Sequence, residues 1–298
     1  MKNKDAFGGC HPVVNLAYFC AVIGFSMFFT HPVCLLISLV CSVCYYAKLK
    51  GGRALRLTAR YALPLMIITA LINPAFNHRG MNIICYLPSG NPLTLESILY
   101  GLAAAVMLVS VLIWFGCYTE IMTSDKFVYL FGKIIPSLSL VLSMTLRFVP
   151  RFKRQLEQVK EAQRCIGIAA PDSSAFSRLK SALNCFSIMM TWALESSIET
   201  ADSMKSRGYG LRGRTAFSIY TFTDRDKYIL IWLGLGSFFL MSGALSGNLY
   251  WQYFPNVRGI LAEPFTIALE AAYFGICITP IAIDIPEERQ WRYLQSKI

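Results

Sequence analysis

The chain has 298 residues, of which 55% are hydrophobic and only 15% charged, with a formal net charge of +11 and a mean hydropathy of +0.48. This composition excludes an ordinary water-soluble domain, in which about a quarter of the residues are charged. The basic surplus is unevenly placed, so it reports topology through the positive-inside bias, and no nucleic-acid partner is expected.

Lys2 and Lys4 precede the first apolar run, Pro12 to Thr30, which ends without a small-residue cleavage site and reads as an uncleaved span. Five further runs follow: Pro32 to Ala47, Tyr61 to Ile72, Ser97 to Tyr118, Tyr228 to Leu245 and Pro264 to Ile283. Each is sparing enough in charge to enter ~30 Å of hydrocarbon, although the second and third are short and must borrow flanking residues.

Lys48, Lys50, Arg53, Arg56 and Arg60 form a basic connection without an acidic residue, whereas the connection from Asn73 to Thr94 carries Arg79 alone. The first is therefore expected to be a cytoplasmic loop and the second external. Alternation then makes both termini and the stretch Thr119 to Lys227 cytoplasmic, and Ser246 to Glu263 external. Phe127 to Val149 is also apolar, but it holds Lys133, Pro136 and Arg147. Were it to cross, Arg147 to Lys227 would be exported with 14 Lys+Arg against 8 Asp+Glu; it is placed at the interface or in a cytosolic bundle.

The expected organisation is thus 1–118 with about four spans, 119–227 in the cytosol, and 228–298 with about two spans and a tail. Within the middle part, Ser137 to Gly167 and Ser177 to Gly208 suit two long helices joined by a turn with Pro171, Asp172 and two serines. In the second arm Leu179, Leu183, Phe186, Met190, Ala193, Ser197, Ala201 and Met204 recur at spacings of three and four, which predicts a packing face. Each arm ends at glycine, Arg164-Cys165-Ile166-Gly167 in the first and Ser206-Arg207-Gly208 in the second. A glycine past a helix end with a nearby arginine is explained fully by capping and the helix dipole. Yet arms of ~30 residues are ~45 Å long, and antiparallel arms set their ends far apart, an arrangement suited to two copies of a partner.

Three stretches carry a resemblance: Ala201-Asp-Ser-Met-Lys-Ser-Arg-Gly-Tyr-Gly210, Met122-Thr-Ser-Asp-Lys-Phe127 and Ser143-Met-Thr-Leu-Arg-Phe-Val-Pro-Arg151. With the layout of spans around a cytosolic region, they resemble, over nearly the whole chain, the transmembrane T component of energy-coupling factor transporters, the EcfT/CbiQ family. The resemblance implies an all-α polytopic membrane protein with about six spans and a cytosolic hairpin of long coupling helices. It implies a bacterial inner-membrane location, two ABC-type ATPase subunits as partners, and a membrane substrate-binding S component for vitamin or metal-ion uptake. It assigns ATPase docking to Ser206, Arg207 and Gly208, with Arg207 entering an acidic groove. Cys165, Ile166 and Gly167 stand where the family shows Ala-Arg-Gly; only the glycine is kept, and Arg164 is the candidate substitute.

Enzymatic roles find no support. No G-x-x-x-x-G-K-[ST] occurs, so nucleotide hydrolysis is expected of another subunit. The ten cysteines lie mostly in apolar runs, and the lone Cys41-x-x-Cys44 has no histidine or acid beside it. Gly208-Tyr209-Gly210 recurs in potassium filters, but here it is flanked by Arg207, Arg212 and Arg214, which would repel a cation. His11, His31 and His78 have no carboxylate cluster in sequence and read as loop-adjacent residues. No catalytic residue, metal site or cofactor is expected. Glu270 is the ionisable residue inside a predicted span and is a candidate for partner packing or gating. The alternative to a coupling subunit is a self-sufficient secondary transporter or channel, which would need a midplane polar site or broken helices.

Overall fold

Uncharged apolar runs become helices in this chain because a backbone in hydrocarbon can satisfy its polar groups only internally. The structure is a computed structural model and describes residues 5–77, 80–86, 92–132, 135–167, 175–211, 220–259 and 263–295. In chain order its elements are α1 (Pro12–Phe28), α2 (Pro32–Phe76), β1 (Ile83–Tyr86), β2 (Pro92–Thr94), α3 (Leu95–Ile121), α4 (Ser124–Gly132), α5 (Pro136–Cys165), α6 (Ala175–Ser206), α7 (Asp224–Leu245) and α8 (Pro264–Gln295). The chain is an all-α polytopic membrane protein. It divides into two compact units, one of Met1–Thr123 with Tyr220–Ile298 and one of Ser124–Ile219.

Among the described residues of the first unit, Pro32–Gly52, Thr58–Phe76, Leu95–Ile121, Asp224–Leu245 and Pro264–Glu287 are long and apolar enough to cross a membrane, and α1 is a shorter apolar helix. Helix starts are locally encoded. Proline opens α1 and α2, Thr94 caps α3 by accepting from the Ser97 amide, and Thr223 forms a capping box with Asp226 at α7.

The basic stretch from Lys48 to Arg60 is helical, which corrects its expected reading as a loop. The reversal occurs at Gly51, whose φ of 79° and ψ of 170° leave the helical region. The Thr58 hydroxyl donates to the Tyr46 hydroxyl at 3.0 Å, although twelve residues along a straight helix would separate the two by about 18 Å. Trp114 near the end of α3 donates from Nε1 to Ser38 at 3.1 Å, while the opposite end of α3, at Gly101, packs against Ala70 and Asn73. Both contacts require the two halves of α2 to run in opposite directions beside α3. One positive-φ glycine suffices, and the Arg, Leu and Ala residues after it favour helix. The connection from Asn73 to Thr94 carries a short antiparallel pair, β1 with β2.

Four helices meet at a neutral polar hub. Ser38 on α2 bonds to Ser26 on α1 at 2.7 Å and accepts from Trp114 on α3, while Ser26 also bonds to Tyr273 on α8 at 2.9 Å. Where water is absent such bonds hold helices together without a charge to desolvate. Tight approaches supplement them. A Cβ added at Gly101 would lie 2.7 Å from the Ala70 carbonyl oxygen, and one at Gly116 would lie 3.0 Å from the Tyr46 ring.

Charged groups collect at one end of this unit. Lys48 pairs with Asp284 at 3.3 Å, Lys50 with Glu120 at 3.3 Å, and Arg225 with Glu287. The N-terminal segment is fastened into the same belt: the Phe7 amide donates to Asp284 at 2.9 Å, the His11 amide to Asp226 at 3.1 Å, and the Tyr45 hydroxyl to Asp5 at 3.1 Å. The Phe7 ring is fully buried edge-on to Tyr18. The other end is aromatic and polar: Tyr253 donates to the Thr30 carbonyl at 2.9 Å, and buried Glu96 accepts from Asn82 at 2.9 Å. In sequence, the second unit is inserted between α3 and α7.

In the second unit α5 and α6 pack antiparallel. Gln163 faces Ser181 and Cys185, Val159 clusters with Cys185 and Met189, and Phe152 meets Trp192 edge-on at 5.3 Å. The stripe expected to pack is instead exposed: Leu179, Leu183, Phe186 and Met190 are 47–63% accessible. A two-helix contact covers only a narrow seam, and the seam chosen is the adjacent one through Cys185, Met189 and Trp192. The turn with Pro171 and Asp172 lies outside the described residues, as do His78, Arg79, Arg212 and Arg214.

Two outcomes follow from this packing. Gly101→Ala is expected to lower the thermal midpoint of the detergent-solubilised chain, an overpacking cost of roughly 1–3 kcal/mol; Gly24→Ala, where an added Cβ meets nothing within 4 Å, leaves it unchanged or raised. Burial, then the hydrogen bond and charge of Asp284, push the Asp5 carboxyl from 3.8 up to about 7. The folded chain therefore holds a proton that the unfolded chain releases, so stability should fall as pH rises between those two values and level off above about 7. Thermal melts across this range should show the slope, and Asp5→Asn should flatten it.

Candidate functional site

The two glycine-ended caps of the second unit share a positive-φ glycine whose amide donates to the carbonyl three residues earlier. At the end of α6 the Gly208 amide donates to the Lys205 carbonyl at 2.9 Å and the Tyr209 amide to the Met204 carbonyl at 3.0 Å. This pair of bonds is a Schellman closure with Gly208 at φ 73° as the left-handed residue. Arg207 is the last residue before it. At the end of α5 the Gly167 amide donates to the Arg164 carbonyl at 3.0 Å, with Gly167 at φ 81°.

Superposing the caps by their bonds equates Gly167 with Gly208, Ile166 with Arg207, Cys165 with Ser206, and Arg164 with Lys205. Arg164 is thus not the positional counterpart of Arg207. It stands two residues earlier, about 200° around the helix, and the counterpart is Ile166, which is 73% exposed. Arg207 is exposed too, and beside it Tyr209 and Leu211 expose their side chains. A cation flanked by an aromatic and an aliphatic group at a rigid helix end has the chemistry of a protein-docking anchor. The antiparallel register sets the caps at opposite ends of the hairpin: Ser181 faces Gln163 beside the first cap, and Arg207 lies 26 residues beyond it, roughly 40 Å.

No family model matches the chain. Curated relatives do: the energy-coupling factor transporter transmembrane protein EcfT of Lacticaseibacillus paracasei is 29% identical over 112 residues, covering 37% of this chain and 40% of the relative. The EcfT protein of Listeria innocua is 29% identical over 118 residues (39% and 41%), and that of Lactobacillus helveticus 32% over 112 residues (37% and 39%).

The chain is related to the EcfT family.

It spans about two fifths of the length of the EcfT relatives it matches, a shorter reach than the near whole-chain resemblance its motifs imply. Among the described residues of this EcfT relative, no group of three or more His, Cys, Asp or Glu side chains is placed to hold a metal ion.

Glu270, singled out in the sequence as an isolated intramembrane acid, lies in α8 and has a partner in its own chain. His31 Nδ1 stands 3.1 Å from its Oε1, with the two side chains 0% and 12% exposed. The Trp251 ring sits edge-on to His31 at 5.2 Å. In sequence His31 reads as a loop-adjacent residue; its position before Pro32 gives no sign of an acid 239 residues later. Tyr209 and Leu211 were missed as companions of Arg207 because no periodicity extends past a helix end.

The cap geometry makes one expectation sharp. Gly208→Ala places a Cβ in the left-handed region, at a cost of about 1–2 kcal/mol. Hydrogen exchange of the amides at positions 208 and 209 should quicken about fivefold or more, since 1.4 kcal/mol is a tenfold change in an opening equilibrium; Gly208→Asn should be milder.

Proposed function

We propose that the chain is the non-catalytic transmembrane coupling subunit of an energy-coupling factor importer. It transmits motion from two ABC-type ATPase subunits to a membrane S component that binds a vitamin or metal ion. The observation that carries this reading is Arg207, exposed on a rigidly closed cap at the end of a 32-residue helix, in a chain similar to EcfT proteins.

The positive-inside bias supports a bacterial inner-membrane location with both termini cytoplasmic, because Lys48, Lys50 and Arg225 gather at the end that holds the N-terminal segment. In this orientation Arg207 faces the compartment that contains ATP and enters an acidic groove on one ATPase. The first cap docks the second ATPase chiefly through exposed Ile166 rather than through an arginine, which makes the two contacts unequal. Ser206, Cys165, Gly167 and Gly208 shape the caps, and Arg164 plays the lesser part that Lys205 plays in the second. The runner-up is a transporter that works alone, and the buried His31–Glu270 pair is the observation in its favour. The pair lies six residues into α8, about 9 Å from that helix start and short of the midplane.

Arg207→Glu is expected to reduce co-purification of ATPase subunits by at least about tenfold and to abolish uptake, with the chain still inserted in the membrane, because a buried anchor contact is replaced by repulsion. Arg164→Glu should cost much less. Undiminished ATPase binding and uptake in Arg207→Glu, or gradient-driven transport by the purified chain alone, would overturn the coupling role.

A further inference from the structure

The elbow of α2 carries two kinds of cation. Lys48 and Lys50 before it are each matched by a carboxylate of another helix, Asp284 and Glu120. Arg56 and Arg60 after it are exposed, and no carboxylate among the described residues pairs with either. They lie four residues apart, on one face of a helix whose apolar segment begins at Thr58. That face continues through Leu63, Ile67 and Leu71, which are 55%, 54% and 65% exposed. Only 6% of this span is buried within the chain.

We propose that this face binds an anionic phospholipid, its phosphate held by Arg56 and Arg60 and one acyl chain laid along Leu63, Ile67 and Leu71. The order of chemistry along the helix supports the assignment. Two guanidiniums stand at the depth where a span meets its headgroups, and about 12 Å of apolar stripe follows toward the membrane interior. Guanidinium forks match phosphate oxygens bidentately. A free phosphate would leave the stripe unused, and a zwitterionic lipid would leave the cations unneutralised. The lysines on the other side of the elbow are already neutralised and add little. The site depends only on the span reaching a bilayer surface, not on the coupling role.

The purified full-length chain, reconstituted in phosphatidylcholine bilayers containing phosphatidylglycerol of the same acyl composition, provides the test. Native mass spectrometry after extraction then counts retained lipids. The wild-type chain should retain phosphatidylglycerol over phosphatidylcholine by roughly tenfold or more, as two arginines near the surface allow. The preference should weaken as salt is raised. Arg56→Gln with Arg60→Gln should bring it close to parity, whereas Lys50→Gln with Lys227→Gln, which removes the same formal charge, should keep it. Parity in the wild-type chain, equal loss in both double variants, or displacement of the lipid by millimolar inorganic phosphate would each overturn the assignment.

Discussion

A charge placed in hydrocarbon costs several kcal/mol unless it is paired or reaches water, and this constraint orders the first unit. The ion pairs between helices gather at one end, where Asp284, Glu120 and Glu287 meet Lys48, Lys50 and Arg225. Between the ends the helices are joined by neutral hydroxyls and an indole around Ser38, together with glycines that let backbones approach. Glu270, the acid deeper in α8, is paired with His31 at the start of α2. The N-terminal segment belongs to this order as well, since Asp5, Phe7 and His11 tie it to α2, α7 and α8.

The same constraint gives the second unit its character. Its two long helices meet along one narrow apolar seam, and each ends at a glycine of positive φ. Those caps present side chains outward from fixed backbones, which is what a mechanical contact with another protein requires. Under the proposed coupling role their inequality, arginine on one and isoleucine on the other, would make the two ATPase contacts unequal. The exposed stripe of Leu179, Leu183, Phe186 and Met190 shows that the hairpin leaves much apolar surface on itself uncovered.

Much of this was legible in the residues. The runs long and apolar enough to cross are legible by length and charge, and the two long arms by their helical pattern and terminal glycines. The elbow was not, because Gly51-Gly52 among five basic residues has the composition of a loop while a single glycine does the turning. The packing seam of α6 was also hidden. Two adjacent apolar stripes run along that helix, and only the partner's shape decides which one is covered. The pairing of Glu270 with His31, like that of Asp5 with Asp284, joins residues more than two hundred apart, which local pattern cannot register. Matching the two terminal glycines in sequence already sets Ile166 opposite Arg207 and Arg164 opposite Lys205, and the Gly167 and Gly208 amide bonds repeat that register.

The coupling account requires the end of α6 to lie in the cytoplasm. In a chain whose ten cysteines are replaced by serine, a single cysteine at the position of Tyr209, 49% exposed, is compared with one at Tyr250, 65% exposed. A membrane-impermeant maleimide applied to intact cells should label position 250 and spare 209, and inverted vesicles should show the reverse. Labelling of position 209 from outside intact cells would contradict the account.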